Sequence, residues 1–242
     1  MPSSLDKSPD RISAMFDAIA ARYDLLNTVL SAGLDRYWRR RAINALGFSG
    51  REKLLDVCSG TGDVAIAAAA RRNGARTVLG VDFAGEMLRR GLEKVRRAGL
   101  HDRITLVRGD AMRLPVASGS MDGATIAFGI RNVQEPRVAV DELRRVLKPG
   151  GRLAILEFGV PSVPGVRPLY LWYFRQVLPR IGRLVSRHTA AYSYLPESVG
   201  AFPWGESFAD ILRASGFNNV KSRPLSLGIV YLYVAENGQQ GR

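Results

Sequence analysis

Hydrophobic and polar positions follow three different rhythms along this chain of 242 residues. Over the first 46 residues Ile12, Met15, Phe16, Ile19, Tyr23 and Leu26 recur every three or four positions, the spacing of one apolar helix face. From 51 to 160 short apolar runs take over, and Lys53–Cys58, Thr77–Val81, Ile104–Val107, Gly123–Phe128 and Arg152–Phe158 read as strands. Helical segments at 63–73, 84–98 and 135–147 separate them, the last opened by Pro136 and stopped by Lys148-Pro149-Gly150-Gly151. Strands alternating with helices predict an α/β fold with a parallel sheet covered on both faces. The rhythm breaks over 161–205, where Pro161, Pro164, Pro168, Pro179, Pro196 and Pro203 stand among aromatics. Phe208–Ser215 then reads as a helix ended by Gly216, followed by two closing strands, Val220–Leu225 and Gly228–Ala235. The expected organisation is a helical lid over 1–46, an α/β core over 47–160, a helical cap insertion over 161–205, and a closing helix and strands over 206–242.

The first strand runs into Leu54-Leu55-Asp56-Val57-Cys58-Ser59-Gly60-Thr61-Gly62-Asp63, and a helix follows. Glycines at such a turn let the backbone approach a ligand while helix amides point at it. Twenty residues past Gly62, Asp82 ends the second strand, where a carboxylate can accept both ribose hydroxyls of a nucleotide. Gly60-x-Gly62-x-x-Ala65 satisfies the dinucleotide fingerprint, so an NAD oxidoreductase is one reading. Asp56 and Asp63 favour another. Asp56, inside the strand, can bond glycine-loop amides or hold an ammonium group, and Asp63 would repel a pyrophosphate. A ligand with no phosphates and a positive sulfonium, S-adenosylmethionine (SAM), suits these acids. Asp110, in Gly109-Asp110-Ala111 after the third strand, would flank the adenine. One strand-end acid is commonly a turn cap; three in succession define a site.

Further segments carry a resemblance. Phe16-Asp17-x-Ile19-Ala20-x-x-Tyr23-Asp24-x-x-Asn27, Ser31-x-Gly33-x-x-x-x-Trp38-Arg39, Phe128-Gly129-Ile130-Arg131-Asn132-Val133, Arg145-Val146-Leu147-Lys148-Pro149-Gly150-Gly151-Arg152, Leu156-Glu157-Phe158 and Tyr194-Leu195-Pro196-Glu197-Ser198 resemble the family that C-methylates quinones in menaquinone and ubiquinone synthesis (UbiE/MenG). The likeness runs from about Phe16 to Ala235. It implies a class I SAM-dependent methyltransferase: a Rossmann-like, seven-stranded, mostly parallel sheet with an antiparallel last strand. It implies SAM as methyl donor without a metal, and a prenylated quinol as acceptor. Demethylmenaquinol comes first, with the ubiquinone-pathway benzoquinol as the alternative. Thr61, Asp82, Asp110 and Ala111 are the SAM contacts it implies, beside the glycine turn and Asp56. Ala127 stands where some members have Ser, and Cys58 where broader methyltransferases often have a glycine, with packing as its expected role.

Methylating a ring carbon needs an electron-rich nucleophile, so the reduced quinol, deprotonated to a quinolate, is the expected acceptor. Arg131 follows the fourth strand in an otherwise apolar loop and stays charged, which makes it the candidate partner for the quinolate oxygen. The competing reading is a structural salt bridge. Tyr23 in the lid is the second catalytic candidate, able to orient or stack on the quinol, or else simply a core tyrosine. Asn132 can position Arg131 or cap a turn. His188 titrates near neutrality, but an Arg-rich setting favours a surface role for it.

Charge adds a partner. With 35 Lys+Arg against 22 Asp+Glu the chain carries a formal +13, while 46% hydrophobic and 24% charged residues are ordinary globular values. One cysteine excludes an intramolecular disulfide, fits a reducing cytoplasm, and with two histidines falls short of a four-ligand metal site. No apolar secretory segment opens the sequence, and the longest uncharged run, Pro224–Ala235, is too short to span a bilayer. Thirty of the basic residues are Arg, so base composition explains part of the excess. The informative part is Phe158–Pro196, which has no acid but carries Arg167, Arg175, Arg180, Arg183 and Arg187. Tyr170, Phe174, Val177, Ile181 and Leu184 share one helical face there, with Pro179 bending it. This predicts an amphipathic cap resting on an anionic membrane, and a cytoplasmic enzyme held peripherally at the inner face. RNA methylation competes on charge, yet no appended RNA-binding module or Asn-Pro-Pro-Tyr motif follows the fourth strand. Nucleic acid is therefore not the expected partner, and a homodimer stays open.

Overall fold

The computed structural model describes residues 6–161, 163–177, 180 and 190–238, with only the backbone at 174–175 and 190–193. Seven strands form one sheet: β1 (Lys53–Val57), β2 (Thr77–Asp82), β3 (Ile104–Arg108), β4 (Met121–Ala127), β5 (Leu147–Phe158), β6 (Phe217–Leu225) and β7 (Val230–Asn237). Their order is β3-β2-β1-β4-β5-β7-β6, all parallel through β5, with β7 antiparallel to both its neighbours. Successive residues of β1 serve opposite faces, which is why the strand reads as a continuous apolar run. Leu54 packs with Trp38, Ala42, Val64 and Val95. These belong to α3 (Leu34–Leu46), α4 (Asp63–Ala69) and α5 (Gly85–Arg97). Leu55 and Val57 join Leu143, Phe208 and Leu212 on the other side, from α6 (Pro136–Val146) and α9 (Glu206–Ala214).

Several boundaries differ from expectation by a residue or more, and three of them have a local cause. The α4 helix stops at Ala69 because the chain folds back, the Ala75 amide bonding the Ala68 carbonyl at 3.2 Å. Lys148-Pro149-Gly150-Gly151 does end α6, yet it lies inside β5 as an irregularity opposite Met121–Gly123. The β6 strand starts at Phe217, three residues early, across another register shift.

The single N-terminal stripe becomes two helices. The lid consists of α1 (Pro9–Ile19), a tight turn over Ala20–Arg22, and α2 (Tyr23–Leu30), with Gly33 at φ 77° leading into α3. In the insertion, α7 (Val166–Trp172) continues into a wider turn over Tyr173–Val177, and α8 (Ala190–Ala201) follows. Tyr170 of the expected cap face is buried and Val177 half-buried. Pro179, Ile181, Arg183, Leu184, Arg187 and His188, and the side chains of Phe174 and Arg175, lie outside the described residues. Among the described residues, no helix is long and apolar enough to cross a membrane.

Candidate active site

Loops after β1, β2, β3 and β4 meet at the carboxyl edge of the sheet, where ligands of open α/β folds bind. Two connected chambers of about 70 and 40 Å³ lie there, and Cys58, Asp82, Phe83, Asn132 and Val133 line both. Asp110, Ala111 and Met112 wall one chamber, and Gly60, Phe128 and Gly129 the other. Two strand ends adopt the left-handed conformation that residues with a Cβ avoid: Cys58 at φ 54° and Phe128 at φ 61°. Gly129 is what lets their loops touch, since a Cβ there would lie 2.3 Å from the Cys58 Cβ.

Asp82 organises this edge. Its Oδ2 accepts the Gly60 amide at 2.8 Å and its Oδ1 the Ala84 amide at 2.9 Å. Burial nevertheless raises its pKa, against the lowering by those amides. Asp56 does not bond the glycine loop through the contacts expected of it. Its Oδ1 accepts the Thr125 hydroxyl at 2.8 Å, while its buried Oδ2 has no hydrogen-bond partner. Burial, opposed mainly by the Thr125 bond, pushes the Asp56 carboxyl up to about 7. Asp110 caps its own loop, accepting the Met112 amide at 2.8 Å.

The lid roofs the chambers and is tied down by polar bonds. Phe16 and Tyr23 line the upper chamber, their rings edge to face at 6.0 Å. Asp17 accepts the Glu86 amide at the start of α5 at 2.8 Å. Asp24 accepts the Thr61 hydroxyl at 2.6 Å and pairs with Lys94 at 2.7 Å, and Lys94 also pairs with Asp63. Arg39, paired with Asp35, lies 3.4 Å from Asp63 as well. The charge of Asp63 is thus spent on Lys94 and Arg39, and it does not act as the pyrophosphate repellent the sequence implied. Thr61 serves as the lid's catch, and Gly62, at φ 78°, leads into α4.

Behind Phe16, Tyr23 and Phe128 opens a third cavity of about 190 Å³. Its walls are apolar or aromatic for the most part, with Ile19, Leu26, Phe158, Tyr170 and Tyr194 among them. Arg131 reaches it, and its guanidinium carbon stands 5.3 Å from the centre of the Phe158 ring. Only 6% exposed, Arg131 donates from Nη1 to Glu157 Oε1 at 2.8 Å and to the Phe128 carbonyl at 2.6 Å. Its Nε has no hydrogen-bond partner. Fully buried Glu157 also accepts the backbone amides of Arg131 at 3.2 Å and Phe158 at 2.9 Å. So the salt-bridge reading of Arg131 holds, together with its place on the pocket wall. Tyr23 borders both cavities, and burial raises its pKa, so its hydroxyl stays a donor at neutral pH.

Of the residues expected to bind cofactor, Gly60, Asp82, Asp110 and Ala111 line the chambers; Thr61 and Gly62 lie in the turn beside them, and buried Asp56 bonds Thr125 of β4 instead. Asn132 neither positions Arg131 nor caps a turn through its side chain: its Oδ1 accepts the Tyr194 hydroxyl at 3.1 Å, tying the loop to α8. Glu157, Lys94, Phe83, Tyr173 and Tyr194 had no role assigned from the sequence, whereas Tyr23 did. Phe83 was signalled by its place after Asp82; the others face partners far away in the chain.

The residues present fit SAM: a left-handed glycine turn with open space at Gly60, a strand-end acid in the cleft, and an orphaned carboxylate oxygen on Asp56. The strand order and this edge are those of the Rossmann-like fold of class I methyltransferases. Solved structures agree on the fold. The [4+2]-cyclase SpnF superposes with TM-score 0.69 at 18% identity, covering 95% of this chain and 97% of that one. A phosphoethanolamine N-methyltransferase from Haemonchus contortus, holding S-adenosylhomocysteine, gives 0.63 at 17%, covering 83% and 52%. The family model for the ubiE/COQ5 methyltransferase family matches residues 5–237, and the chain belongs to that family. It is 50% identical to a ubiquinone/menaquinone biosynthesis C-methyltransferase from Syntrophotalea carbinolica over 90% of this chain and 91% of the relative. It is 45% identical to a demethylmenaquinone methyltransferase from Clavibacter sepedonicus over 96% and 93%.

Proposed function

We propose that this chain transfers the methyl group of SAM to a ring carbon of a prenylated quinol, with demethylmenaquinol as the preferred acceptor. The observation that carries this reading is the aromatic cavity sharing Phe16, Tyr23 and Phe128 with the cofactor cleft, with Arg131 on its wall. A flat, largely apolar ring bearing two oxygens matches that lining, whereas an RNA substrate does not. When bound, SAM supplies the electrophilic methyl and its own leaving group. The chain's residues do the rest. Asp82 and Gly60 hold the ribose end, and Asp110 and Ala111 flank the base, while Asp56 ties β1 to β4 through Thr125.

Tyr23 donates to one quinol oxygen, and Arg131 holds the negative charge left when the other hydroxyl gives its proton to water. Once the methyl is transferred, with S-adenosylhomocysteine as leaving group, the ring carbon sheds its hydrogen as a proton to water and the quinol is aromatic again. Glu157 is saturated by Arg131 and two backbone amides, so it fixes the guanidinium rather than taking a proton. The lid excludes water from the reacting carbon. With the lid down the two chambers are smaller than nucleoside-sized ligands need, so substrates enter when it lifts. In this reading residues 1–46 and 161–205 serve as lid and cap of the core, and the enzyme works in the cytoplasm at the inner face of the membrane.

The test offers methyl-labelled SAM with demethylmenaquinol, the corresponding benzoquinol, or RNA. Label in the naphthoquinol above the benzoquinol supports the proposal. Equal transfer to both would broaden the acceptor to the benzoquinol alternative, and transfer to RNA alone would overturn the reading.

A further inference from the structure

Three contiguous helices at the mouth of the aromatic cavity present an outer face that packing inside the chain does not explain. The α7 helix lies against α2 through Tyr170 and Leu26, and Tyr173 donates to the Leu30 carbonyl at 3.2 Å. The α3 helix follows α2 after the turn over Ser31–Gly33. While Leu26, Trp38 and Tyr170 point inward, their neighbours Leu25, Val29, Tyr37, Leu169 and Trp172 are solvent-exposed, Leu169 at 64% and Trp172 at 57%. Leu34 is exposed too and lines the cavity, so the cavity meets solvent among these side chains.

Beside this apolar face runs a cationic one. Arg36 and Arg40, four residues apart on α3, line an open groove of about 710 Å³ with Arg71, against α4 and α5. The groove's acids are already engaged: Asp35 by Arg39, and Asp24 and Asp63 by Lys94. Among the described residues Arg36, Arg40, Arg41 and Arg71 have no acidic partner. The groove backs directly onto the aromatic cavity, since Asp35 and Arg39 line both. An exposed aromatic stripe flanked by unpaired arginines is the composition of a surface resting in the headgroup layer of an anionic bilayer. A second copy of this chain would bring these arginines against their own kind, which disfavours a symmetric dimer through this face.

We propose that α2, α3 and α7 form the surface on which the protein sits on an anionic phospholipid bilayer, with headgroup phosphates in the α3–α4 groove and the cavity mouth at Leu34 facing the lipid. This rests on the quinol reading, and it places the contact on the lid as well as on the insertion. A prenyl tail then passes from bilayer to cavity at Leu34 without crossing water.

The full chain is co-sedimented with phosphatidylcholine vesicles with and without phosphatidylglycerol. Wild type binds the anionic vesicles. Tyr37→Ser/Trp172→Ser weakens that binding by roughly tenfold, and Arg36→Gln/Arg40→Gln removes a similar factor specifically from the phosphatidylglycerol dependence. Both variants keep wild-type methyl transfer to a short-chain, water-soluble demethylnaphthoquinol, which also reports that they are folded. Vesicle binding unchanged by both variants would overturn the surface, as would absence of binding in wild type. A dimer in sedimentation velocity that Tyr37→Ser/Trp172→Ser dissolves, with no vesicle binding, would assign the face to a second copy and overturn it as well. Failure of the quinol reading has a different signature: no methylation of the soluble quinol while vesicle binding persists.

Discussion

Arg131 illustrates how one side chain carries two constraints. Its pairing with buried Glu157 holds the guanidinium through a charged bond from Nη1 alone, so Nε keeps no partner, and a Lys ammonium would have no further nitrogen to offer the pocket. Arg131→Lys should therefore lower the single-turnover methylation rate by about a hundredfold, with SAM affinity changed less than threefold by calorimetry. Glu157→Gln keeps the shape and frees the guanidinium to wander, so a smaller rate loss with the same unchanged SAM affinity is expected. A large loss of SAM affinity in either would contradict the assignment. Asp56 gives a stability signature. Its carboxyl is held up to about 7 in the folded chain, above the ordinary 3.8. Between those values the folded state keeps a proton that the unfolded state has released, so this group erodes stability as pH rises from about 4 to about 7. Thermal melts should show Asp56→Asn more favourable relative to wild type at pH 8 than at pH 5; a pH-independent difference would refute the burial argument. The residue scale was half legible in the sequence. Strand-end acids announce themselves by position, as Asp82 and Asp110 did. Glu157 could not, because an acid in a strand is recognisable as a partner only once the loop carrying Arg131 folds against it.

The elements divide along the same line. Sheet strands were legible because residues buried on both faces leave unbroken apolar runs, and the strand–helix alternation has few parallel solutions. The split of the N-terminal stripe was not, since the turn at Ala20–Arg22 preserves helical spacing on both sides. Nor was the lid's catch, whose members Asp24, Thr61 and Lys94 lie on three separate elements. That catch is partly exposed, so each bond is worth little alone. Asp24→Ala should loosen the lid without unfolding the core: faster proteolysis within the first 46 residues, and SAM dissociation accelerated by less than about tenfold. Protease resistance equal to wild type would show that apolar packing of Phe16 and Tyr23 suffices to hold the lid.

At the scale of the molecule, the formal +13 resolves into unlike parts. Arg89 and Arg213 pair with acids one helical turn away and act as solvated helix surface, while Arg145 pairs with Glu142 and also donates to the Leu114 and Val116 carbonyls. Asp82 and Asp110 line the cleft at the carboxyl edge of the sheet, and Arg36, Arg40 and Arg41 of α3 have no acidic partner among the described residues. The same sheet supports a cyclase named for a [4+2] reaction, so the fold alone does not decide the chemistry. In the proposed function the chemistry is set by the juncture of cleft and aromatic cavity across Phe16, Tyr23 and Phe128, with Arg131 on the wall. The most direct measurement follows a ¹³C-labelled methyl group from SAM into reduced demethylmenaquinone and locates it by NMR of the product. The expected product carries the methyl on the ring carbon and forms from the quinol, not from the oxidised quinone. A label found on a quinol oxygen, or only on RNA, would contradict it.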